Sequence, residues 1–244
     1  MVSILTSSLG GSCKVNGKRV PTYLLNQNGL TDQIKSYWKK DSRVLMISAS
    51  PDQYEMNDSI LYCQKEAFAM SGLDAASFEM CDYRNETVMN QMGLYDVIIL
   101  VGGHVPTQNT FFHRINLKCK LEEFKGLLIA WSAGSMNCAD VVYAMPELEG
   151  EGVDKSFQRF IRGLGITKIM IIPHFQAVKN DIVDGFRVME DMVYPDSMAK
   201  SFIALSDGSF IICDEENETL YGEAFLIKDG KQTQICEDGK LIKL

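Results

Sequence analysis

Leu127-Leu128-Ile129-Ala130-Trp131-Ser132-Ala133-Gly134-Ser135-Met136-Asn137 is the stretch whose reading decides the fold. Its first half is apolar without polar alternation, the pattern of a strand covered on both faces of a parallel sheet. It runs directly into Ala130-Trp131-Ser132-Ala133-Gly134, a small-x-Ser-x-small sequence. Such spacing suits a strand-to-helix turn so tight that the flanking positions cannot carry bulk. The turn lifts the serine hydroxyl clear of the sheet and aims the following N–H groups at it.

Similar runs lie on either side. Val44-Leu45-Met46-Ile47, Val97-Ile98-Ile99-Leu100-Val101 and Ile169-Met170-Ile171-Ile172 also read as buried strands. Between them lie helical patterns. Leu30, Ile34, Tyr37 and Trp38 share one face, and Asn57 predicts the cap of a helix running to about Ser71 with Gly72 as its stop. Ile182, Phe186, Met189 and Val193 repeat at helical spacing and predict an amphipathic helix ended by Pro195. Phe210 to Cys213 and Ala224 to Ile227 are strand-like, and Asp229-Gly230 and Asp238-Gly239 are turn signals, so a small C-terminal β meander is expected. No linker, repeat or charge block divides the chain. The expectation is one α/β domain over 1–244: a doubly wound, mostly parallel sheet with helices on both faces and its site at the carboxyl ends of the strands.

Composition narrows the function. The chain has 244 residues, 46% of them hydrophobic and 23% charged, which is a folded protein and not a disordered one. A net charge of −8 disfavours nucleic acid or an anionic membrane as partner. No stretch approaches the ~18 apolar residues of a membrane span. The 7 cysteines are scattered, with no C-x-x-C pair, which reads as reduced thiols in a cytoplasmic protein. No metal-ligand spacing is present, and no cofactor is expected.

Three groups of residues carry chemistry. Ser132 is the candidate nucleophile at the elbow. His174, in Pro173-His174-Phe175 just past a buried strand, is the candidate base, able to take the serine proton and return it to a leaving amine. Gly102-Gly103-His104 follows the strongest strand. Its glycines let backbone N–H groups approach a ligand, pairing with the N–H of Ala133 as an oxyanion hole. The acid that orients the imidazole is left open among Asp181, Asp184, Glu190, Asp191, Asp207 and Glu215, with Asp181 to Asp191 expected on the solvated face of their helix. Asp207-Gly208 also fits an ordinary hairpin turn. His113 belongs to a helical, partly exposed segment.

Taken together, Ala130-Trp131-Ser132-Ala133-Gly134-Ser135-Met136-Asn137, the earlier Gly102-Gly103 and the later Ile172-Pro173-His174-Phe175 resemble the peptidase E (aspartyl dipeptidase) family. These are serine peptidases on a class I glutamine-amidotransferase-like fold, and the resemblance spans about Arg43 to Phe225. It implies Ser132 as nucleophile, His174 as base and Gly103 and Ala133 as oxyanion donors. It also implies that Gly102, His104 and Asn109 border the substrate. The family's acid stands in a segment matched here by Leu205-Ser206-Asp207-Gly208, which points to Asp207. Three departures stand out. The loop after Gly103 is longer, and Ala144 replaces an Asp before Met145-Pro146. The run after Pro173-His174-Phe175 lacks the basic, Gly-rich character of aspartyl-specific members. They bear on N-terminal aspartate specificity and leave the hydrolytic residues in place. Arg159, Arg162, Lys168, Lys179 and Arg187 are the cations available to read a substrate charge.

The resemblance thus implies hydrolysis of short peptides through an acyl-enzyme by a monomer or homodimer. A cyanophycinase-like or isopeptide hydrolase and a non-catalytic small-molecule-binding protein are the alternatives on the same scaffold. Amidotransferase chemistry is disfavoured because that class carries Cys at the elbow.

Overall fold

A computed structural model describes residues 1–244. The chain begins with β1 (Val2–Thr6) and a hairpin of β2 (Gly10–Val15) and β3 (Lys18–Leu24). It continues through α1 (Leu30–Tyr37), β4 (Arg43–Ile47), α2 (Tyr54–Met70), β5 (Ser77–Cys81) and β6 (Val97–Leu100). Next come α3 (Val105–Arg114), α4 (Leu117–Glu123), β7 (Leu127–Trp131) and the single-turn α5 (Ala133–Asn137). A short pair, β8 (Val141–Tyr143) and β9 (Phe160–Arg162), precedes β10 (Met170–Ile172) and α6 (Phe175–Val178). A second short pair, β11 (Ile182–Val183) and β12 (Phe186–Arg187), leads to β13 (Ser201–Leu205) and β14 (Phe210–Cys213). The chain closes with β15 (Glu218–Tyr221), β16 (Ala224–Lys228), β17 (Lys231–Cys236) and β18 (Leu241–Lys243).

The main sheet has 8 strands in the order β18-β15-β14-β1-β7-β6-β4-β5. The run from β1 to β5 is parallel, and β14, β15 and β18 extend it antiparallel. Successive side chains of a strand point to opposite faces, so one strand feeds two cores. Val44, Met46, Val97, Ile99, Leu127 and Ile129 pack under α1 and α2, with Phe68 at the centre. Leu45, Ile47, Ile98, Leu100, Leu128 and Ala130 face α3 and α4, against Phe111 and Phe112. The unbroken apolar runs of these strands are a consequence of this double cover.

A second sheet, in the order β10-β13-β16-β17, carries its own core of Tyr143, Phe175, Phe202 and Ile227. Its presence changes three expectations. The C-terminal strands do not form a separate meander: β14, β15 and β18 join the main sheet, while β16 and β17 join the second. The strand before His174 is not in the sheet of the elbow; β10 pairs in parallel with β13. The segment 182–196 is not one amphipathic helix but the β11–β12 hairpin, turning at Asp184 (φ 52°) and Gly185 (φ 82°), followed by a wide helical turn over 188–193. Met189 and Val193 are buried in the second core, whereas Ile182 and Phe186 on the hairpin are exposed, so the helical spacing in the sequence spans two elements and no single buried face. Asn57 is not a cap either; it lies buried in the first turn of α2, where it holds Ser48, Ser50 and Asp82. Gly72 does end that helix, at φ 77°.

The demand for small residues at the elbow has a direct cause at Gly134. A Cβ there stands 2.5 Å from the Leu100 carbonyl oxygen, backbone that cannot step aside. Gly134→Ala is expected to lower stability by about 1–3 kcal/mol, the usual cost of overpacking, as a reduced urea midpoint. Gly93→Ala, whose methyl meets nothing within 4 Å, is expected to stay within about 0.5 kcal/mol of the parent protein.

Candidate active site

Ser132 stands at φ 53° and ψ −121°, a backbone region that L-residues rarely enter. Three contacts hold it there. Its N–H donates to the Thr6 carbonyl at 3.1 Å, and its carbonyl accepts from the Met136 N–H at 3.0 Å. The Ser135 hydroxyl reaches the carbonyls of Thr6 at 2.9 Å and Ala130 at 2.8 Å. Thr6 and Trp131 are register partners at the carboxyl ends of β1 and β7. The turn therefore projects Ser132 off the top of the parallel sheet, where the strand-end rule places sites.

The residue after Thr6 links this edge to the second sheet. The Ser7 hydroxyl accepts the backbone N–H of His174 at 2.7 Å and donates to Asp207 Oδ1 at 2.8 Å. His174 Nδ1 lies 2.7 Å from the same Oδ1. With an ionised carboxylate, that contact makes Nδ1 the protonated nitrogen and leaves the Nε2 lone pair free. Gln176 clasps Asp207 twice, its amide donating to Oδ2 at 2.5 Å and its carbonyl oxygen accepting the Asp207 N–H at 3.0 Å. Burial on its own raises the carboxyl of Asp207; donation from His174, Ser7 and Gln176 outweighs it and holds the group below its ordinary value. His174 itself adopts a left-handed conformation at φ 53°, which turns its ring back from the start of α6. Asp207 is no hairpin turn, because β13 and β14 lie in different sheets and the segment between them is a crossing.

Ser132 and His174 line one cavity of about 550 Å³, together with Met145, Glu147, Asp181 and Ile182 among others. The Ser132 hydroxyl and the imidazole share this space without a hydrogen bond between them. A contact of this kind often tightens only when substrate fills the site. Glu147 lines the cleft and is exposed to the solvent within it. Desolvation, then the charges of Glu151 and Asp181, push its carboxyl up to about 7 against the pull of His174.

Gly102 and Gly103 pass between the elbow and the end of β4. A Cβ on Gly102 meets Trp131 Nε1 at 2.6 Å and Ser132 Cβ at 3.0 Å; one on Gly103 meets Ala49 Cβ at 2.6 Å. Glycine is needed here for close approach, and the N–H groups of Gly103 and Ala133 are left without a carbonyl partner. Because α5 is only 5 residues long, these individual N–H groups and not a long helix dipole supply the positive charge. His104 contacts Thr107 at 2.7 Å through Nδ1 and Glu151 at 2.8 Å through Nε2, so its ring braces a loop and does not face the cavity. Asn109 turns inward, its amide donating to Asn137 and to the Arg162 carbonyl, both at 2.9 Å; it is not brought to the cavity. His113 faces that same carbonyl at 3.1 Å. Asp181 is exposed, as expected, but it lies between α6 and β11 and not on a helix, and it lines the cavity.

Sequence reasoning missed Ser7, Gln176, Glu147 and Glu151. Ser7 follows directly on an apolar strand, so the strand-end rule was available to find it. The other three have no signal outside the tertiary structure.

No protein-family model and no curated protein sequence matches the chain. Solved structures do. A peptidase from an acI-B1 Actinobacterium superposes with a TM-score of 0.68 at 14% identity, covering 100% of this chain and 96% of the other. A "Putative Peptidase E Protein" from Listeria monocytogenes EGD-e superposes with a TM-score of 0.58 at 13% identity, covering 96% and 98%. The chain has the peptidase E-like fold: a large, mostly parallel central sheet flanked by helices. No helix is long and apolar enough to cross a membrane.

A carboxyl held below its ordinary value contributes stability above its unfolded pKa and loses it as the pH falls through the folded one. Asp207→Asn is therefore expected to lower the urea midpoint at pH 7. The gap to the parent protein should close as the pH is taken below the ordinary carboxylate range of about 3.9.

Proposed function

We propose that this protein is a serine peptidase of short peptides, acting through an acyl-enzyme. One observation carries the reading: an imidazole tied at 2.7 Å to a carboxylate that other donors keep ionised, in the same cavity as a serine on a strained turn. A free serine is essentially un-ionised near neutrality and needs a base. In this reading the Nε2 lone pair of His174 takes the Ser132 proton as the hydroxyl oxygen bonds to the substrate carbonyl carbon. Asp207 holds the tautomer and stabilises the imidazolium that forms. The N–H groups of Gly103 and Ala133 bind the oxyanion. The imidazolium then protonates the leaving amine, and water enters by the same steps in reverse to release the acid.

The fold shared with two structures described as peptidases supports this reading, as does a cavity sized for a short peptide. All 7 cysteines are free and most are buried, which supports a reducing compartment such as the cytoplasm. A non-catalytic binding role rests on the missing Ser132–His174 hydrogen bond, and active-site labelling separates the two.

A fluorophosphonate probe is expected to label Ser132 in the parent protein and not in Ser132→Ala. Peptide hydrolysis should fall by about 10⁴-fold or more in that variant with its circular dichroism unchanged. Hydrolysis by Ser132→Ala at the parent rate would overturn the mechanism.

A further inference from the structure

The charges around the cavity have one sign. Glu147 and Asp181 line it, and no Lys or Arg does. Neither carboxylate is paired with a cation of the chain. Of the cations available to read an acidic substrate, Arg159 is bound to Asp196 at 2.8 Å and Arg187 lies 3.6 Å from Asp191. Lys168 borders a different cavity, and Arg162 and Lys179 line neither. An aspartyl side chain entering here finds no Lys or Arg partner and two carboxyl groups.

Glu147 is positioned rather than loose. Glu151 Oε2 accepts the backbone N–H groups of Glu147 and Leu148, both at 2.9 Å, while its Oε1 meets His104 beside the glycine pair. Asp184, at the tip of the β11–β12 hairpin, accepts the N–H groups of Gly150 at 2.9 Å and Gly152 at 2.8 Å. The loop that carries Glu147 is thus fastened to the loop above the elbow on one side and to the hairpin on the other. Asp181 sits at the base of that hairpin, where its carbonyl accepts the Val188 N–H at 2.9 Å.

We propose that Glu147 and Asp181 form a cation-selecting wall, so that the cavity takes peptides bearing a positive charge beside the scissile bond and rejects acidic ones. The charge is an ammonium or guanidinium group, either a free amino terminus or a Lys or Arg side chain. The apolar neighbours Met145, Val178, Ile182 and Val183 suit the methylene stem of a basic side chain, which keeps its charged head at the carboxylates. The net charge of −8 also draws cationic peptides toward the molecule. The proposal deepens the peptidase reading and, as to which bond is cut, rests on it.

Four tripeptides test it: Ala-Ala-Ala with a free amino terminus, and the amino-acetylated Ala-Ala-Ala, Ala-Lys-Ala and Ala-Asp-Ala. The expected order of kcat/KM has at least one cationic peptide about tenfold or more above acetylated Ala-Ala-Ala, with the aspartyl peptide lowest. The free-terminus and lysyl arms separate the two sources of charge. Glu147→Gln and Asp181→Asn should each shrink the ratio of cationic to neutral peptide, mainly through KM. The same peptides are titrated calorimetrically into Ser132→Ala, which reads charge preference without hydrolysis. If fluorophosphonate fails to label and no peptide is cut, while the cationic peptide still binds about tenfold tighter, the peptidase reading falls and the cation site stands. If the aspartyl peptide binds as well as the lysyl one, or none binds, the cation site falls whatever the fate of the peptidase reading.

Discussion

At Ser132 an L-residue is held in a conformation that costs about 1–3 kcal/mol, and it stays there because the carboxyl end of β1 will not let it relax. The Thr6 carbonyl accepts both the Ser132 N–H and the Ser135 hydroxyl, so one peptide group closes the turn from two directions. Gly134 lies against the Leu100 carbonyl beneath it, and Gly102 presses on Trp131 and Ser132 from above. The elbow is therefore set by three adjacent parallel strands and not by its own pentapeptide alone.

The same strand end organises the base. Ser7, one residue beyond Thr6, accepts the backbone N–H of His174 and donates to Asp207. A single hydroxyl thus joins the end of the main sheet to residues that follow β10 and β13 of the second sheet. The second sheet shares the main core on one face, through Ile171, Leu205, Ala224 and Cys236, and has a core of its own on the other; the candidate site lies where the strand ends of the two sheets meet. This arrangement explains how a histidine outside the elbow's sheet shares a cavity with the elbow serine. It also explains why the acid falls on a crossing between sheets: there the chain passes from β13, the neighbour of β10, to β14, the neighbour of β1.

Electrostatics then divides the site into two halves. On one side three side-chain donors hold the Asp207 carboxylate in its charged form. On the other, desolvation first and then the charges of Glu151 and Asp181 raise the carboxyl of Glu147. Carboxyls of similar intrinsic acidity are driven in opposite directions by their surroundings. The loop fastened by Glu151 and Asp184 supplies the second half, and its sequence shows none of the regularity that marks the first.

What the sequence by itself determined is local and periodic. An apolar run followed by small-x-Ser-x-small specifies a doubly covered strand and a tight turn, because steric limits at Ala130 and Gly134 act over neighbouring residues. The two-sided sheet was legible for the same reason, as was the placement of Ser132, His174 and the glycine pair at strand ends. Asp207 was reached through resemblance, since its own spacing fits a hairpin equally well. Only the tertiary structure decided that β10 belongs to a second sheet, that 182–196 is a hairpin and a wide turn, that Asn109 points into the core, and that Ser7, Gln176, Glu147 and Asp181 converge on the imidazole or the cavity. Those outcomes depend on how distant loops pack and on which charges they leave unpaired. Hydrophobic periodicity records whether a residue is buried, but not which other residue it is buried against.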